Sequence, residues 1–240
     1  MKTRSRRLLI LAFIAFAAFC VLRAPISLLT LFLPHEVQLK NVEGSLWNGR
    51  ASAIGLGELI VQEQVNWQFH PRALLSGRLE WAIAGRFSEK SSALTLALRP
   101  GGAELYDLSL YLPLEPFIAQ NPRLKAVRIG ALLHATAPRV AANVPVSASI
   151  DVDGLFSPMV PLASQLGNYR FDLKLDAAGK GAWRATTLAG ILAISGDGSL
   201  DTKAQQIAGK LVLTPSTTLP GLSPAISQLP RSGNGYLVTF

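Results

Sequence analysis

The 240-residue sequence predicts a mainly β protein, with one N-terminal transmembrane helix followed by an antiparallel β-sheet domain, either a sandwich or a curled open sheet. Three observations carry this expectation. Hydrophobicity alternates with a period of two in six separate stretches. Gly, Pro, Asn or Asp turn signals divide those stretches. One uncharged run, Leu8 to Leu22, stands near the start.

The N-terminus reads "MKTRSRR" followed by "LLILAFIAFAAFCVL". Lys2, Arg4, Arg6, Arg7 and Arg23 flank the apolar run, and beyond residue 23 the chain is nearly balanced in charge. The formal net charge of +8 therefore belongs mostly to the N-terminus and is no nucleic-acid signature. A span wants about 20 apolar residues. This run is shorter, but arginines at both ends have stems that reach back to the interface. Basic residues ahead of the span place residues 1–7 in the cytoplasm, 8–33 in the anchor and juxtamembrane segment, and 34–240 across the inner membrane in the periplasm. A cleaved signal peptide is the competing expectation, from Ala15-Phe16-Ala17, but the apolar sequence runs well past that point. Cys20, the only cysteine, falls inside the run, so no internal disulfide forms.

After Pro34, the alternations are "VNWQF", "RLEWAIAGRF", "LTLAL", "LSLYL", "VSASIDV" and "YRFDLKL". In "RLEWAIAGRF", Leu79, Trp81, Ile83, Gly85 and Phe87 share one face, and Arg78, Glu80 and Arg86 lie on the other. That is a half-buried strand of an antiparallel sheet with one wet face. Helical patterns are short and proline-limited: "LEPFIAQ", "SPMVPLASQLG" and "SPAISQLP". "RPGGAEL" and the tract from Pro138 to Pro145 are candidate seams, giving one β domain or two halves, 34–137 and 138–240. An apolar-x-Gly-x-apolar echo recurs as "VEGSL", "LSGRL" and "IAGKL" and reads as points where the sheet turns.

A search by motif spacing finds no reaction centre. The paired glycines lack the third glycine of a dinucleotide loop, and no Lys-Ser or Lys-Thr closes a phosphate loop. No G-x-S-x-G turn offers a nucleophile. His35, His70 and His134 stand far apart, without a second ligand at metal spacing, and read as interfacial, turn and core or edge residues respectively. Asp151/Asp153 and Asp197/Asp201 are too few oxygens for a calcium loop. The expectation is a non-enzymatic chain with no catalytic, metal or cofactor-binding residues and no cofactor.

The stretch "VEGSLWNGRA" puts Trp47 beside Asn48-Gly49, a hairpin-type turn signal, so its ring folds over a sheet end. "VNWQFHPRALLSGRLEW" follows about twenty residues later. Together these segments resemble the protein N family of the type II (general) secretion pathway of Gram-negative bacteria. The resemblance rests on Gly44, Ser45, Leu46, Trp47, Gly49 and Ala51, then on Trp67, Pro71, Leu74, Leu75, Gly77 and Leu79. It implies a single-pass inner-membrane protein with a periplasmic β domain, an accessory part of the machine that exports folded proteins. It implies other secretion subunits and inner-membrane lipids as partners, and no nucleic acid. The alternative is a periplasmic lipid-binding or lipid-bridging protein, because an open sheet with interior leucines suits an acyl-binding groove.

Overall fold

The computed structural model describes residues 37–56, 59–119, 129–158, 165–216 and 228–240. The expected anchor, with Lys2, Arg4, Arg6, Arg7 and Arg23, lies outside these, as does His35. No helix among the described residues is long and apolar enough to cross a membrane.

Among the described residues fifteen strands form a single sheet. The N-terminal part holds β1 (Val37–Lys40), β2 (Glu43–Gly44), β3 (Asn48–Leu56), β4 (Leu59–Phe69), β5 (Leu79–Phe87), β6 (Lys90–Arg99) and β7 (Gly102–Pro113). A short helix, α1 (Glu115–Ala119), precedes β8 (Gly130–Ala141), β9 (Val146–Phe156), β10 (Gly167–Leu175), β11 (Lys180–Gly190), β12 (Leu192–Asp201), β13 (Gln206–Pro215), β14 (Arg231–Ser232) and β15 (Gly235–Thr239). The spatial order is β1-β3-β4-β5-β6-β7-β8-β9-β10-β11-β12-β13-β15-β14, with β2 also on β3. Every pairing is antiparallel. Of the two expected architectures, the chain adopts the open sheet. It is a meander whose first and last strands do not meet.

Register explains why one face is apolar. Residues opposite each other across a ladder share a face. Phe69, Trp81, Leu96, Leu105 and Val140 form one such row, and Leu112, Leu133, Val152, Tyr169 and Thr187 another. One residue along, Tyr111, His134, Asp151, Arg170 and Thr186 line up on the opposite face.

The sheet is not flat. The registers of β4 with β5 and of β6 with β7 each slip, where Gln64 (φ 49°) and Asp107 (φ 51°) take left-handed conformations. The Gln62 side-chain amide on β4 donates to the Tyr111 carbonyl on β7, two strands beyond its neighbour. Three strand spacings in a flat sheet are about 14 Å, beyond a glutamine's reach, so the sheet curls here toward its apolar face. Gly85 on β5 makes room: a Cβ there would lie 2.8 Å from Gln62 Oε1. Ser92 completes the crossing by accepting the Tyr111 N–H at 2.9 Å.

A second crossing sits further along. Tyr169 on β10 is 1% exposed, and its hydroxyl donates to the Leu192 carbonyl on β12 at 2.7 Å. Ala131, Val152, Leu155, Phe171 and Ile194 pack with it. Beside it, Trp183 lies over Gly198 and Gly209, donates its ring N–H to Ala208 and stacks on Phe240 at 5.7 Å. The echo glycines do different jobs: Gly44 (φ 100°) ends strand β2 opposite Gly49, Gly77 (φ 69°) sits in a turn, and Gly209 is floor beneath an indole.

Burial pushes the Tyr169 hydroxyl pKa from 10.0 up to about 12. The unfolded chain deprotonates first, so this residue's contribution is fully present below pH 10 and is lost as pH rises through about 12. Unfolding of the detergent-solubilised full chain should therefore show an alkaline loss of on the order of 2 kcal/mol that Tyr169→Phe removes. At neutral pH the same variant is expected to lose about 1 kcal/mol, because the Leu192 carbonyl loses its donor.

Candidate docking surface

The segment that carries the distinctive motifs builds one end of the sheet. The turn falls two residues earlier than Asn48-Gly49. Ser45 N–H bonds the Asn48 carbonyl at 2.8 Å, putting Leu46 and Trp47 at the apex, while Asn48 and Gly49 open β3. Asn48 instead ties the turn to β4, its Oδ1 accepting the Phe69 N–H at 3.2 Å. Gly49 lies beneath the Trp67 ring, where any Cβ would overlap it.

Three aromatic rings close over this end. Trp47 stacks on Trp81 at 6.0 Å and 8°, and meets Phe69 edge-on at 4.7 Å. The indole N–H groups of Trp67 and Trp81 donate to the Ser45 and Leu46 carbonyls at 3.0 and 3.2 Å. The apex backbone is thus held by the rings beneath it. Ala51 faces Val65 in the buried row next to them.

Between β4 and β5 the chain makes a 3-10 turn, Pro71–Ser76. Pro71 fixes the first φ and holds His70 extended. Gly77, in the left-handed region, returns its N–H to Leu74 at 3.0 Å, and Leu79 then opens β5 opposite Leu98. Side chains three apart eclipse in a 3-10 turn. Ala73 is buried, with the Ser76 hydroxyl on its carbonyl at 2.8 Å, and this places Arg72 and Leu75 on the outward side. Leu75 is 93% exposed and Leu74 52%. Glu80 takes both His70 (3.2 Å) and Arg78 (2.8 Å). Arg50 takes Glu43 at 2.6 Å.

The opposite face is a charge ladder. Arg170 clamps Asp151 at 2.7 and 2.9 Å and holds its carboxyl below the usual range. Glu104 is lowered by the Tyr106 hydroxyl, and by Arg139 at 3.2 Å and Arg99 at 3.7 Å. Asp201 is lowered by the Ala204 N–H it accepts, aided by Lys180 at 3.4 Å. His134 is neither core nor edge: it lies on this charged face of an interior strand, stacked on Tyr111 at 4.1 Å, with Nε2 3.0 Å from the Ser109 hydroxyl. Alternation puts it there, since Leu133 takes the apolar row. A shallow cavity of about 750 Å³ between β8 and β12 carries Asp172, Lys174, Arg184 and Asp197, both signs together. Among the described residues no cluster of three His, Cys, Asp or Glu could hold a metal.

Sequence reasoning singled out neither Arg72 nor Gln62. The eclipsed i, i+3 pair in "PRALLS" is the signal for the first; nothing local signals the second, whose partner is 49 residues away.

Fold and surface together describe an open β-meander module with one apolar face, one charged face and a rigid protruding turn. The family described as type II secretion system (T2SS), protein N, matches residues 35–239. The chain belongs to that family of secretion-system components. A relative, the type II secretion system protein N of Vibrio cholerae serotype O1 (strain ATCC 39315 / El Tor Inaba N16961), is 40% identical over 76 residues, covering 30% of this chain and 27% of that protein. The matched stretch thus spans only about a quarter of that relative's length. No solved structure matches.

Because Gly49 and Gly209 lie under indoles, Gly49→Val and Gly209→Val should each lower stability by about 1–3 kcal/mol. At Gly101 a Cβ meets nothing within 4 Å, and Gly101→Ala should stay within about 0.5 kcal/mol of the parent. Urea unfolding followed by tryptophan fluorescence measures all three.

Proposed function

We propose that this chain is a non-enzymatic accessory component of the type II secretion system, anchored in the inner membrane by residues 8–33. Residues 1–7 stay in the cytoplasm, and 34–240, as one domain or two halves (34–137 and 138–240), contact other secretion subunits in the periplasm during export of folded proteins. The observation that carries the contact role is the open sheet: among the described residues no further strand pairs with β1 at one end or with β14 at the other, and unpaired edges are natural docking surfaces. Family membership supports the pathway, and the basic, apolar N-terminus supports the anchor. Of the motif residues, Gly44, Leu46, Trp47, Gly49, Ala51, Trp67, Pro71, Gly77 and Leu79 are assigned a structural part, building the sheet end described above, while Leu74 and Leu75 form its exposed tip.

One observation favours a second reading. The sheet curls toward a face where Leu94, Leu110, Ile150 and Phe171 stay half-exposed, as an acyl-binding groove would require. Native mass spectrometry of the gently solubilised chain separates the two, since a stoichiometric phospholipid belongs to the second reading alone.

Deleting the chain from its native cell should reduce export of type II substrates, and the tagged chain should co-purify with secretion subunits from inner membranes. Normal export in the deletion strain together with no co-purifying subunit would overturn the proposal.

A further inference from the structure

We infer that the turn Pro71–Ser76 is the docking knob through which this chain grips another protein of the secretion machine, with Leu74 and Leu75 entering an apolar notch and Arg72 meeting a carboxylate on its rim. The inference rests on the function proposed above and names the surface that performs it.

Exposure is the first argument. Soluble surfaces carry single exposed leucines without meaning, but two adjacent ones at 52% and 93%, at the tip of a protruding turn, form a concentrated apolar contact. Phe117, Phe156 and Leu59, which are also exposed, stand close in sequence to residues outside the described set. Leu74 and Leu75 lie well inside the unbroken stretch 59–119.

Rigidity is the second. The proline at the start, the left-handed glycine at the end, the Ser76 hydroxyl on the Ala73 carbonyl and the burial of Ala73 fix the turn before any partner arrives. A pre-organised contact loses little entropy on binding. A floppy loop with the same sequence would bind far more weakly.

Charge supplies the third and chooses the partner. Arg50 and Arg78 at this end of the sheet are taken by Glu43 and Glu80. The ion pairs among the described residues do not include Arg72, and it eclipses Leu75 on the same side of the turn. One free cation beside two leucines suits a protein notch with an acidic rim. A bilayer surface would want a cluster of cations, which the two neighbouring carboxylates prevent.

The test uses the full chain in native membranes, with a photo-crosslinking amino acid at position 75 and a control at Leu188, which is 51% exposed elsewhere. The expected result is a discrete adduct with another secretion subunit from position 75 and none from 188. Burying one leucine is worth roughly ten- to a hundred-fold in association, so Leu74→Asp should cut the adduct about tenfold or more. Arg72→Glu should cut it several-fold by charge reversal alone, and this variant serves if Leu74→Asp fails to accumulate. Adducts only with lipid, only with a second copy of the chain, or with nothing would overturn the inference. If deletion of the chain impairs export while Leu74→Asp and Arg72→Glu export normally, the knob fails and the proposed function stands. If deletion has no effect on export and no subunit co-purifies, the proposed function itself has failed.

Discussion

A β-sheet usually buries its apolar face against a second layer, but the described residues here form one sheet, so large rings must lie across neighbouring strands whose own side chains are small. Trp67 over Gly49, and Trp183 over Gly198 and Gly209, are two instances of that solution. The indole covers backbone that a leucine could not reach, and its N–H satisfies a carbonyl two strands away. Any side chain on the floor lifts the ring. Glycine in a strand normally weakens it by about 0.5–1 kcal/mol relative to alanine; here the buried ring offsets that loss.

Curvature follows from the same constraint. Left-handed residues at Gln64 and Asp107 bend the ladder, and the Gln62 amide and Tyr169 hydroxyl hold the bends by spanning strands that do not pair. Curling draws the half-exposed leucines toward one another and turns the charged face outward. The ion pairs on that face are open to solvent, which screens them, and each contributes little to stability. They keep the wet side soluble; the rings and the crossings hold the fold.

Much of this was legible in the sequence, because alternation survives in a one-layer sheet. "RLEWAIAGRF" became β5, with Trp81 and Ile83 inward as the period of two demanded, and "YRFDLKL" became β10 in the same way. β8 was harder to see. Its Pro138 looked like a seam, yet β8 runs straight through it: the register with β7 is unbroken from Tyr106 opposite Arg139 to Leu108 opposite Ala137. "RPGGAEL" likewise proved to be the β6–β7 hairpin, pairing Arg99 with Gly102. Of the helical patterns, "LEPFIAQ" gave α1, while most of the other two fall outside the described residues. The turn at Trp47 was misplaced by two residues because Asn-Gly is the stronger local signal, whereas the Trp67 ring required that glycine beneath it. Long-range crossings leave no local trace, and neither Gln62 nor Tyr169 could be assigned a partner from sequence.

Amide hydrogen exchange on the purified full chain tests the central claim most directly, since a single open meander makes a distinctive protection map. Slow exchange should run without a gap from β4 through β12, with the outward amides of the edge strands β1 and β14 exchanging fastest. A fast-exchanging break between β8 and β9, or edge strands protected as well as β8, would contradict it, the first by splitting the sheet and the second by closing it.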